Sequence, residues 1–235
     1  MRTFTLAAAA SLALAGAASA DLIISEIVDG PLSGGTPKFV ELTNTGNAPV
    51  DLANYSLGNI NNGATTMGFD ALVLSGILAA GDSYVVSYEN SDAPGASVFF
   101  DVYSFDADNL ENGSFINGDD VLVLFSGAGL AGDPGNGANV VDVFGVVGVN
   151  GDNEPWDYTD SYAVRVPTSI TANGGVFNVA DFVYGGRDGL EGADDAAETL
   201  NLQIFTSPGT HAFIPEPASL AMIALGGLAL VRRSA

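Results

Sequence analysis

The stretch that most constrains the fold runs from Lys38 to Leu57, KFVELTNTGNAPVDLANYSL. Phe39-Val40-Glu41-Leu42-Thr43 alternates sides with the two-residue period of a half-buried strand. Asn44 to Pro49 is turn chemistry, because Gly and Asn tolerate positive φ and Pro49 has no N–H to give a ladder. Val50-Asp51-Leu52 and Tyr55-Ser56-Leu57 then resume the apolar pattern. Strand, turn, half-strand, turn, strand points to an all-β chain.

The rest of the body repeats this grammar without a fixed-period repeat. Leu22 to Val28 is the first predicted strand, Asp29 to Pro37 a Gly-rich loop and Phe39 to Asn44 the second strand. Gly58 to Gly68 is a loop with a tight turn at Asn61-Asn62-Gly63, and Ala71 to Leu74 is a short strand. In Ser83 to Tyr88, residues Tyr84, Val86 and Tyr88 share one face, with Ser83, Val85 and Ser87 on the other. A strand is expected at Val98 to Tyr103, followed by an acidic loop from Phe105 to Ser114. Val121 to Phe125 is continuously apolar, as in a strand covered on both faces. Gly127 to Gly137 is a loop, and further strands are expected at Val140 to Gly145 and Tyr162 to Val166. Thirty Gly and ten Pro supply the turns that such a chain needs.

Charge sets the next boundary. Six basic residues face 28 acidic ones, a net −22. Arg2, Arg232 and Arg233 lie near the ends, so the body keeps Lys38, Arg165 and Arg187. Such a surface repels phosphate backbones, so nucleic acid is not an expected partner. It suits solvation in a saline medium and attracts divalent cations. The absence of cysteine excludes thiol catalysis, Cys-ligated zinc and iron–sulfur clusters.

Both ends read as addresses. Residues 1–20 form a secretory signal: Arg2, an apolar run from Leu6 to Ala17, then the small-residue cleavage pattern Ala18-Ser19-Ala20. That run is shorter than the roughly 20 residues a membrane span needs. At the other end Pro215-Glu216-Pro217 precedes an apolar stretch from Ala218 to Val231 and the basic pair Arg232-Arg233. IPEPASLAMIALGGLALVRRSA resembles the PEP-CTERM sorting signal of exosortase systems. The resemblance implies Pro215, Glu216, Pro217, Arg232 and Arg233 as the sorting motif. It also implies exosortase and the secretion machinery as partners, transient membrane association through a C-terminal apolar helix, and a secreted, envelope or matrix location. The domain itself is then 21–213, with the sorting segment at 214–235.

Several passages of the body carry a second resemblance. Ile24-Ser25-Glu26, Glu41-Leu42-Thr43-Asn44, Val50 to Leu57, LSGILAAGDSYVV, the Asn117-Gly118-Asp119 turn before its strand, and Val140 to Gly145 are similar to a bacterial lamin-tail domain. Tyr162 to Val166 resembles its late arginine strand, so the likeness spans Asp21 to about Val166. The tryptophan that family places after the arginine strand is missing, with Phe182 or Tyr184 as replacements. The resemblance implies an immunoglobulin-like β-sandwich. It implies no reaction, because similar domains joined to extracellular nucleases depend on a separate catalytic domain.

Candidate sites are few. His211 is the only histidine and falls at the end of the domain, where a solvent-exposed linker residue is expected. No HExxH motif or P-loop occurs, and no carboxylate pair stands out from the acidic background. No cofactor is required. Calcium is the candidate one, with Asp101, Asp106, Asp108 and Glu111 as oxygen ligands in an irregular loop that fails the EF-hand spacing. A second acidic group is Asn150 to Glu154 with Asp157, and a third is Asp188, Glu191, Asp194 and Asp195. Trp156, in an acidic loop, is the candidate platform for stacking a sugar ring, against the alternative of a core anchor. The first functional reading is a non-enzymatic structural or adhesive matrix protein. The alternative is a calcium-dependent module for extracellular polysaccharide, and the third a hydrolase built on two carboxylates.

Overall fold

The computed structural model describes residues 21–89, 93–112, 116–135 and 139–214. The expected signal peptide and, apart from Ile214, the expected sorting segment, including Pro215, Glu216, Pro217, Arg232 and Arg233, lie outside these residues. Among the described residues no helix is long and apolar enough to cross a membrane.

The strands are β1 (Leu22–Leu32), β2 (Thr36–Asn44), β3 (Val50–Asp51), β4 (Tyr55–Ile60), β5 (Leu72–Val73), β6 (Ile77–Leu78) and β7 (Ser83–Glu89). Then follow α1 (Val98–Tyr103), β8 (Asn109–Asn112), β9 (Val121–Ser126), β10 (Val140–Phe144), β11 (Ser161–Arg165), β12 (Phe182–Tyr184) and α2 (Asp195–Phe205). One sheet runs β12-β11-β1-β2-β7-β8, a second β10-β9-β4-β5, and β3-β6 forms a small ribbon.

The Gly-rich stretch expected as a loop is mostly strand. β1 and β2 extend to Leu32↔Thr36, leaving only a tight turn in which Gly35 N–H donates to Leu32 O. The tight turn at Asn61-Asn62-Gly63 is present, with both central φ angles positive and Ala64 N–H donating to Asn61 O.

The two sheets enclose the main core, where Ile24, Ile27, Val40, Leu42, Val86, Leu124 and Phe144 meet. The face alternation in β7 holds: Tyr84, Val86 and Tyr88 enter this core, while Val85 joins a second cluster with Val28, Phe39, Phe99, Val102 and Leu202. That second cluster lies between the outer face of the larger sheet and the two helices. All five residues of Val121 to Phe125 are buried, as their unbroken apolar run predicts.

Further elements depart from the sequence expectation. Val98 to Tyr103 is a helix, not a strand. Ser97 Oγ caps it by accepting from Phe100 N–H, and Glu89 at the end of β7 accepts from Val98 and Phe99 N–H. An apolar run this short carries no decisive period, so the cap and a carboxylate at the end of the preceding strand decided it. Within the expected acidic loop, Asn109 to Asn112 is instead β8, which pairs in parallel with β7. Beyond Pro167, β12 pairs antiparallel with β11, and α2 follows where no element was assigned. Phe182 takes up the position after the arginine strand, with the Arg165 guanidinium carbon 5.0 Å from its ring centre.

Candidate functional site

Each of the three basic residues of the body is held by acid; Lys38 and Arg187 line one cleft, and Arg165 is buried in the core. Lys38 pairs with Asp29 between β2 and β1. Arg165 is fully buried, and its Nη2 donates to both oxygens of Asp142 of the opposite sheet, at 3.0 and 2.9 Å. Asp142 also accepts from Ile24 and Asn173 N–H at 2.8 and 2.9 Å. Burial pushes the Asp142 carboxyl above its usual range although Arg165 pulls it down. Arg187 bridges Asp152 and Asp157 at 3.0 and 3.1 Å.

One buried acid pair has no such cation. β1 carries a bulge between Ile24 and Glu26, so Ser25 and Glu26 both leave the core face. Glu26 then sits directly across from Glu41 of β2, and Val164 and Val85 extend the row on either side. Residues directly opposite in an antiparallel pair share a face, so two carboxyls meet there. Glu26 is 1% exposed and Glu41 0%. Glu41 Oε1 accepts from Ser25 Oγ at 2.6 Å. Ser25 Oγ contacts Thr43 Oγ1 at 2.7 Å, and Thr43 contacts Ser83 Oγ at 2.8 Å. Burial raises Glu41 to about 7, against the pull of Ser25. Burial first, and Glu41 second, push Glu26 well above the usual carboxyl range.

The lid over this pair is the segment after α2. Ser207-Pro208-Gly209-Thr210 forms a turn closed by Thr210 N–H to Ser207 O, with Gly209 at φ +84°. Proline second and a positive-φ glycine third make this turn from local sequence alone. Ser207 N–H donates to both Glu26 oxygens at 3.1 Å. Glu41 Oε2 lacks a well-aligned donor, although the Gly209 amide lies near enough to act on its charge. Beside the turn opens a cleft of about 670 Å³, lined among others by Ser75, Asp82, Ser83, Asp108, Gly209 and His211. Neither glutamate lines it, and both are essentially without solvent.

The residues singled out from sequence fall elsewhere. Asp101 is on α1, Asp106 accepts from Gly95 N–H at 2.7 Å, Asp108 accepts from Val85 N–H at 2.8 Å, and Glu111 is on β8 opposite Tyr88. Proximity in sequence does not become convergence here, because two of these acids serve as backbone acceptors. Among the described residues no group of three or more acids and histidines is placed to hold a metal ion. In the second acidic group the cation is Arg187. Burial alone would raise Asp157, but the amides of Thr159 and Asn153 together with Arg187 take it below its usual value. In the third, Asp194 caps α2 by accepting from Ala197 N–H, while Asp195 and Glu198 lie in the first helical turn.

Trp156 is 2% exposed and sits edge-on to Phe144 and Phe177, so it offers no face to a sugar. It is a core anchor. His211 is half-buried, not a solvent-exposed linker. Burial and Arg165 lower it to about 4, so the imidazole is neutral near pH 7. Sequence reasoning missed Glu26 and Glu41 as a pair. The available signal was one acid inside each of two β-rich apolar runs, LIISEIV and FVELT.

No curated protein and no solved structure matches the chain. The family of lamin tail domains matches residues 15–147, which ends before the arginine strand β11. Domains of this family are immunoglobulin-like and generally non-catalytic. The β-sandwich and a match over more than half of the sequence agree: the chain belongs to the lamin tail domain family.

Proposed function

We propose that this protein is a non-enzymatic structural or adhesive component of the cell surface or extracellular matrix. On this reading residues 1–20 export it, and exosortase sorts it through Pro215-Glu216-Pro217 and the basic end. The observation that carries the reading is the placement of charge. All three basic side chains among the described residues are engaged by carboxylates, which leaves an outward surface dominated by acid. Such a surface stays hydrated and avoids self-association in a crowded, saline matrix. It offers no unpaired cation to a phosphate backbone, so nucleic acid is not a partner on this reading.

The rival readings draw less support. A polysaccharide module needs an exposed ring, and Trp156 is buried. A hydrolase needs two carboxyls reached by substrate, and Glu26 and Glu41 lie beneath the turn.

The test is fractionation of the full chain in an exosortase-bearing bacterial host, beside the triple variant P215A/E216A/P217A. The wild-type chain is expected outside the cell, and the variant is expected to stay with the membrane. Identical distributions, or wild-type protein in the cytosol, would overturn the reading.

A further inference from the structure

We infer that Glu26 and Glu41 form a proton-dependent latch, which holds Thr206–Ile214 on the sheet while the pair keeps a proton and releases it when both ionise. The inference concerns the described fold and does not rest on the sorting reading. Three observations carry it. The two acids are direct cross-strand neighbours, both essentially without solvent. The cations of the body are engaged elsewhere: Lys38 by Asp29, Arg165 by Asp142 across the core, Arg187 by Asp152 and Asp157. The lid touches the pair directly, through Ser207 N–H on Glu26.

Two adjacent buried carboxylates cannot both remain charged without a counter-ion, whereas a protonated partner can donate and share the site. Opening the lid rehydrates both acids and removes the conflict. The remaining anchors are Tyr103 OH to Thr206 Oγ1 at 2.7 Å, Ile214 N–H to Pro167 O at 2.8 Å, and the burial of Thr206 and Pro208. Released, these nine residues reach about 30 Å when extended, so the fold gains a tether toward residue 215.

The other titratable groups around the pair have defined signs. Tyr103 comes from α1, and burial raises it, so it stays neutral at working pH. From β7, Glu89 is engaged by the α1 amides, and from α2 the buried Glu198 acts on Glu191. His211 of the lid opposes the latch. Its depressed value means its contribution to closure is full above about pH 6.5 and falls as pH drops toward about 4. The glutamates have raised values, so their contribution is full below about 4.5 and is lost as pH rises, through about 7 for Glu41, with burial and the neighbouring Glu41 pushing Glu26 in the same direction. Two acids against one histidine leave a lid that loosens as pH rises.

The experiment is amide hydrogen exchange on the full chain, corrected for the intrinsic rate, across about pH 6 to 8. Wild-type protection in 206–214 is expected to fall at least about tenfold over that range while β1, β2 and β7 stay protected. Glu41→Gln and Glu26→Gln, which share His211 with the wild type, are expected to flatten the profile. A flat wild-type profile, a loss spread evenly over the sheet, or an unchanged fall in both variants would overturn the latch. If neither variant folds, the wild-type profile decides by whether the loss is confined to 206–214.

Discussion

Replacing Arg165 by methionine tests what holds the two sheets in register. Arg165 sits on β11 of one sheet, and Asp142 on β10 of the other. The guanidinium meets both Asp142 oxygens, also donates to Thr171 O at 3.3 Å, and lies 5.0 Å from the Phe182 ring centre. Methionine fills much of the same volume but leaves Asp142 buried without a cation. Breaking a buried pair in this way costs about 3–5 kcal/mol. For a domain of this size that is a Tm fall of about 6–20 °C. The sign with pH follows from Asp142, whose proton affinity is already raised by burial and rises further without Arg165. A group raised in the folded state favours folding at low pH and loses that contribution as pH rises. The deficit of R165M should therefore be small near about pH 4 and full near about pH 8 by thermal melting. The double variant D142N/R165M should recover part of the neutral-pH loss. Recovery is partial because an Asn amide presents its NH₂ to one of the two backbone N–H groups that Asp142 accepts from. A deficit independent of pH, with no recovery in the double variant, would show that lost packing and not uncompensated charge explains the effect.

Two further outcomes follow from the site geometry. Trp156, the sole tryptophan, should emit in the blue-shifted range of a buried indole, resist acrylamide quenching and ignore added oligosaccharides; ready quenching or a sugar-dependent shift would place it at a binding surface. Melts of the full chain with millimolar calcium and with chelator should coincide, since Arg187 already serves Asp152 and Asp157 and no group of three or more acids and histidines among the described residues is placed to hold a metal ion; a rise of several degrees reversed by chelator would contradict this.

The two-residue alternation in Ser83 to Tyr88, the Asn61-Asn62-Gly63 turn and the unbroken apolar Val121 to Phe125 determined their own structures. In each the signal is local: side-chain period, positive-φ residues, or burial on two faces. The family resemblance is likewise carried by short strand and turn passages, and the match to residues 15–147 covers them up to Gly145 but not the arginine strand. Charge composition limited the partners, because the balance of a surface is a property of the sequence.

Tertiary structure decided what depends on distant residues meeting. Val98 to Tyr103 became helix because Glu89, nine residues from Val98, reached its first amides. The acids from Asp101 to Glu111 separated because Gly95 and Val85 each drew one away. Trp156 turned inward onto Phe144, and Arg187 came to bridge Asp152 and Asp157 of the second acidic group. The pairing of Glu26 with Glu41 needed a bulge and a strand register, and its closure needed a turn more than 160 residues further on. Local sequence fixes backbone preference over a few residues, whereas a buried charge is defined by which partner the whole fold brings to it.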